Sequence, residues 1–135
     1  MSSNNIRLSI FLCLSMCLGI GILRFSYTAL LPSTREAFDW SVGFASLLGS
    51  ANLLGYLMGA FWAMKLPQTK IMTLYIQIAA IAGMFSLMCC AFADFPQAWY
   101  IFWRVLSGIS GGLLMILSPS VLAQCCNIQD RFKIN

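Results

Sequence analysis

The chain contains no histidine and only four acidic residues, Glu36, Asp39, Asp94 and Asp130. Without imidazole it lacks both the usual general base near neutral pH and a common nitrogen ligand for metal ions. The acids all fall outside the long apolar runs, so no carboxylate is placed in hydrocarbon to relay a proton. Serines such as Ser107, Ser110 and Ser118 have no base to activate them and read as packing residues that hydrogen-bond the backbone. These shortages argue against an enzyme, and neither a metal nor a cofactor is expected. Charge as a whole is scarce, at 9% of residues, against roughly a quarter in a typical soluble domain.

Apolar surface dominates instead, with hydrophobic residues making up 60% of the chain. Four runs exceed the ~18 residues needed to cross a bilayer: Leu8 to Leu31, Val42 to Met64, Ile71 to Ala93 and Trp99 to Cys126. Lipid offers the backbone no hydrogen-bond partners, so runs of this length suit helices rather than barrel strands. The expected fold is an all-α, integral-membrane bundle of four transmembrane helices over residues 8–126. A short tail, residues 1–7, precedes it and another, residues 127–135, follows. The first run carries Arg24 and ends in Leu31 and Pro32 without a small-residue cleavage site, so it reads as a retained span and not a secretory signal.

The expected links are Pro32 to Trp40, Lys65 to Lys70 around Pro67, and Asp94 to Ala98 around Pro96. Arg7, Lys65, Lys70, Arg131 and Lys133 fall on one side of the membrane and Arg35 on the other, which places both termini in the cytoplasm. The chain is then a multi-pass membrane protein, with the bilayer as its first partner. Trp40, Trp99, Tyr100 and Trp103 gather at the outer interface, where amphipathic rings prefer to lie. The net charge of +4 reflects this topology. No basic cluster or aromatic platform suits nucleic acid. The six cysteines lack metal-type spacing and read as small apolar packing residues, with a disulfide or acylation at Cys125 and Cys126 as the alternative.

Two arginines interrupt the apolar runs. At ~1.5 Å per residue, Arg24 and Arg104 both lie roughly 7 to 10 Å to the outer side of the midplane. Each could snorkel to the headgroups, but two at one depth on different helices suggest a shared polar cavity. A small anionic or carbonyl-bearing ligand would suit it. The second helix carries a stripe of Ala45, Gly49, Asn52, Gly55, Gly59 and Ala63, with Tyr56 one turn beyond Asn52. Gly55 and Gly59 have the small-xxx-small spacing of closely packed membrane helices. Asn52 reads either as interhelical glue or as a cavity contact. The fourth helix repeats the device with Gly108, Gly111 and Gly112, and Pro119 predicts a bend or broken turn near Ser118 and Ser120. The third helix, with Tyr75, Gln77 and Ser86 as its polar marks, faces lipid more than the others.

The run Arg104-Val-Leu-Ser-Gly-Ile-Ser-Gly-Gly112 resembles the fourth-helix signature of the major facilitator superfamily. Arg24-Phe-Ser-Tyr-Thr-Ala-Leu-Leu-Pro32 looks like the end of helix one in its YbfB-like branch, and Ser50-Ala-Asn-Leu-Leu-Gly-Tyr-Leu-Met-Gly59 looks like helix two. The resemblance runs from about Leu8 to Gln124 and implies the first third of a twelve-helix secondary transporter built from inverted repeats. It also implies that helices one and four line the pathway, so that Arg24, Tyr27 and Arg104 face a cavity with Asn52 and Tyr56 near it. One departure is the segment from Met64 to Lys70, which keeps its bases but lacks the acid of the family's gating loop. The expectation is a truncated facilitator that moves nothing alone and lacks part of the interface its glycine stripes require. The alternative is a small four-helix structural or assembly subunit joined to other transmembrane helices. A small proton-coupled drug exporter fits poorly, because its chemistry needs a buried carboxylate.

Overall fold

A computed structural model describes residues 3–66, 71–92 and 95–133, with side chains described at all of these except 3–6, 8, 26, 28 and 125–133. Pro67, Lys70 and Asp94, and the side chains of Cys125, Cys126, Asp130, Arg131 and Lys133, lie outside what is described. The described elements are helical throughout. They are α1 (Ser3–Cys17), a π-helical segment (Leu18–Phe25), α2 (Ser26–Ala37), α3 (Val42–Lys65), α4 (Met72–Cys90) and α5 (Gln97–Lys133). Three helices, Val42–Lys65, Met72–Cys90 and Gln97–Gln124, are each long and apolar enough to cross a membrane. Ser9–Phe25 and Ala29–Ala37 make a fourth span if taken together across their 45° bend. The all-α membrane bundle is therefore present.

The first span differs from its expected form. It does not stop at Pro32 but carries that proline inside α2 and continues to Ala37. Hydropathy ends the span where polar residues begin, yet a helix can project beyond hydrocarbon as long as its own hydrogen bonds close. Helix α2 instead ends at Phe38 and Asp39. Asp39 takes a left-handed φ of 50°, and the Trp40 amide donates back to the Arg35 carbonyl at 3.0 Å. That is the six-to-one closure in which glycine is usual and a short polar residue is tolerated. The π segment supplies a physical cause for the bend, since its wider turns break the regular hydrogen-bond ladder.

Ser41 starts α3, its extended backbone and side-chain oxygen receiving the Phe44 amide at 3.2 Å. This hydroxyl satisfies one of the amides left open at a helix start. Helix α4 buries 28% of its span against 44% for α3 and α5, in line with the more lipid-facing role expected of it. Helix α5 carries Pro119 without a broken turn and extends through the expected tail to Lys133. The hydroxyl of Ser120 donates to the Ile116 carbonyl at 2.7 Å beside that proline.

The closest packing joins α3 to α5, and it gives most of the two glycine stripes partners within the chain. A Cβ on Gly55 would collide with the Val105 carbonyl, one on Gly59 with the Ile109 carbonyl, one on Gly108 with the Asn52 carbonyl and one on Gly112 with the Tyr56 carbonyl. Each stripe is the other's partner, backbone against backbone. Residues three and four apart lie on one helix face, so two such rows can mesh along several turns. Gly111 serves a different neighbour, as its Cβ would stand 3.1 Å from the Gly19 carbonyl. Gly49 has open space around it and makes no such approach. A core of Leu12, Leu23, Ile76, Ala79, Leu114 and Leu117 fills the bundle beside this seam.

Candidate functional site

At the end of the bundle bearing Trp40 and Tyr100, a cavity of about 500 Å³ opens between the first span, α3, α4 and α5. Arg104 from α5 and Tyr27 from α2 line it. So do Thr34, Phe38, Trp40 and Cys90. The wall is mostly aromatic and aliphatic. Trp40 stacks on Phe38 at 5.0 Å and meets Tyr100 edge-on at 4.9 Å, so two of the rings expected to gather at one interface build the cavity mouth. Trp99 and Trp103 form a separate edge-on pair at 5.4 Å.

Arg104 is 3% exposed. Its guanidinium carbon lies 3.6 Å from the centroid of the Tyr27 ring, which covers one face of the cation. Attraction to the ring quadrupole offsets part of the cost of removing that charge from water. The edge of the group is another matter, because Nε and Nη2 are buried and have no hydrogen-bond partner among the described residues. A guanidinium has five donors and does not shed its proton, so unpaired N–H groups in an apolar surround are costly. Tyr27 is itself fixed from outside the cavity, its hydroxyl donating to the Ala45 carbonyl on α3 at 3.0 Å.

The backbone of Arg104 is held as firmly as its side-chain edge is not. Asn52 Nδ2 donates to the Arg104 carbonyl at 3.0 Å and to Ser107 Oγ at 2.8 Å. Ser107 Oγ donates in turn to the Arg104 carbonyl at 3.2 Å. Asn52 is thus interhelical glue and does not line the cavity. A second lock comes from α4, where Ser86 donates its hydroxyl to the Trp103 carbonyl. These polar residues fix the rotation and height of α5 where the arginine emerges.

Arg24 and Tyr56 do not line the cavity either. The Arg24 guanidinium carbon lies 4.9 Å from the Tyr56 ring centroid and 5.6 Å from that of Phe25. Tyr56 turns its hydroxyl to the Met115 sulfur. The expected pair of cavity arginines resolves into two separate cation–aromatic contacts, Arg24 with Tyr56 and Arg104 with Tyr27. Equal depth along the membrane normal says nothing about azimuth, and the π segment that holds Arg24 shifts side-chain directions from those of a regular helix. Thr34 and Cys90 were not foreseen as cavity residues. Their only advance signal is helical spacing, with Thr34 two turns after Tyr27 and Cys90 one turn after Leu87.

The profile described as an uncharacterised MFS-type transporter, YbfB, matches residues 16–133. That span takes in both arginines, both glycine rows and the whole cavity wall. The chain belongs to this YbfB-type family of facilitator transporters. No curated protein and no solved structure shows significant similarity to it. For a YbfB-type chain, the arginine and glycine pattern on α5 now has a physical division of labour. The glycines bring α3 within backbone contact, and the arginine projects from the helix so positioned into the cavity.

Proposed function

We propose that these helices form the outer part of a transport pathway for a small, negatively charged solute, with Arg104 as the binding cation and Tyr27 as its support. The observation that carries the reading is a cavity-lining guanidinium with an unpaired edge, in a chain of transporter type. A charge held this way costs stability and is retained where a passing ligand pairs with it. The bases near the span ends support a topology with both termini in the cytoplasm of a bacterial inner membrane, so that the cavity opens outward. Moving solute to the other side needs a second gate, which we assign to further transmembrane helices packed beside these.

Cys90 makes this testable without knowing the substrate. In intact cells a membrane-impermeant thiol reagent added from outside should modify Cys90, identified by peptide mass spectrometry. Modification from the cytoplasmic face only, or from neither face, overturns the reading.

A second reading, a self-contained structural or assembly subunit, draws support from the mutual fit of the α3 and α5 glycine rows. Crosslinking in the native membrane separates the two. A defined partner lost from its own assembly when this chain is deleted favours the subunit; outside access to Cys90 favours the pathway.

A further inference from the structure

The chemistry of the cavity wall narrows the solute beyond its sign of charge, provided the pathway reading above holds. We infer that the cavity takes an organic monoanion with one planar or near-planar oxyanion, best a carboxylate, on an apolar ring-bearing body. Three observations converge on this class.

The first is the unpaired edge of Arg104. Nε–H and an Nη2–H lie side by side on one edge of the guanidinium plane, and both are buried with no hydrogen-bond partner among the described residues, so a ligand that pairs with them must displace the side chains that cover them. With one face against Tyr27, the cation's remaining capacity lies in its own plane, where two parallel N–H groups match the two oxygens of a carboxylate. The second is charge count. Among the described residues Arg104 is the one charged residue in the lining, so a single negative charge is balanced there and a dianion leaves one unpaired in an apolar surround.

The third is what the rest of the wall withholds. Tyr27, Thr34 and Tyr100 line the cavity, but their hydroxyls donate to the carbonyls of Ala45, Leu30 and Phe92, at 3.0, 2.8 and 2.8 Å. These hydroxyls can still accept but have no proton left to give, so the acceptor oxygens of a ligand rich in hydroxyls, such as a sugar acid, would find no donor in them. Phe38, Trp40, Leu48 and Leu87 instead offer rings and branched chains to an apolar body. At about 500 Å³, the space lies within the usual range for small-molecule sites.

The test uses the whole chain in phosphatidylcholine nanodiscs and follows the alkylation rate of Cys90 by peptide mass spectrometry. The probes share one ring system: 1-naphthoate, its methyl ester, 1-naphthylmethylammonium and naphthalene-1,4-dicarboxylate. Naphthoate should slow Cys90 alkylation, and the other three should need roughly 10- to 100-fold higher concentration for the same protection, the difference expected of a charge-assisted bidentate pair. Arg104→Gln should remove the advantage of naphthoate over its ester. Arg104→Lys, which keeps the charge but loses the two-pronged edge, should restore only part of it.

Equal protection by all four probes, or none by naphthoate, overturns the inference. Protection by phosphatidylglycerol in the discs that naphthoate does not displace also overturns it, in favour of a bound lipid headgroup. Failure here with outside access to Cys90 intact leaves the pathway standing and removes only the ligand class. Selective protection by naphthoate without outside access does the reverse.

Discussion

Two regions meet at Arg104 and are built on opposite principles. In the α3–α5 seam, polar groups are partnered and space is used to the limit, with Asn52 and Ser107 closing on the Arg104 carbonyl and four glycines admitting opposed carbonyls. In the cavity beside it, the side chain of the same residue has two buried nitrogens without partners among the described residues. A membrane bundle gains little from hydrophobic association between helices, so close packing and interhelical hydrogen bonds must hold it together. The seam supplies these, and the cavity can then carry an unpaired charge. The contrast teaches that one residue can be structural through its carbonyl and functional through its side chain.

The largest effect should come from filling the seam. Gly108→Val drives branched carbon into the Asn52 carbonyl and Tyr56 amide, and should cost about 3 kcal/mol or prevent a monodisperse fold, since overpacking typically costs 1–3 kcal/mol per site. Unfolding in mixed micelles, followed by loss of helical signal, measures it. Gly49→Ala is the matched control. With open space around that position, it should be neutral or stabilising by up to about 1 kcal/mol. Equal damage at both sites would remove the distinction between stripe and seam.

Asn52→Ala should come next, at about 1–2 kcal/mol for two lost donations and a less satisfied carbonyl. Its second signature is positional. With α5 less firmly registered, selectivity for naphthoate in Cys90 protection should weaken although Asn52 does not touch the cavity.

Tyr27 tests the boundary between the regions, because its hydroxyl ties α2 to the α3 backbone while its ring lies against the cavity arginine. Tyr27→Phe should cost about 1 kcal/mol for the lost bond to Ala45 while keeping the ring under Arg104. Cys90 protection by naphthoate should therefore survive. A protection loss as large as that of Arg104→Gln would show that the hydroxyl, and not the ring, supports the cation.

The all-α membrane bundle and most of both glycine rows, though not the end of the first span or the place of Gly49, were legible from the residues, because hydropathy and three-to-four spacing report directly on a helix and its faces. The start of α3 at Val42 was legible for the same local reason, the onset of an apolar run. Partnership was less legible. Gly55 and Gly108 each announce close packing, but which helix approaches is a tertiary fact, and reading the rows separately left them seeking partners outside the chain. Depth could be counted for Arg24 and Arg104, while azimuth depended on a π segment whose local sequence, Leu-Gly-Ile-Gly-Ile-Leu-Arg-Phe, reads as ordinary apolar helix. Pro32 misled because proline more often ends a helix than lies within one. Cys90 was hidden by its neighbours, since it sits on the helix that buries least.

The most direct measurement compares the unfolding free energies of Arg104→Met and Asn52→Ala with that of the native chain, beside Cys90 protection by naphthoate for each. If Arg104 is kept for its ligand, exchanging its unpaired buried charge for an apolar side chain of similar length should leave the bundle at least as stable, as replacing buried charges often does. The same exchange should abolish naphthoate-selective protection. An Arg104→Met protein destabilised as much as Asn52→Ala, with protection intact, would make the arginine a structural residue and contradict the division between seam and cavity.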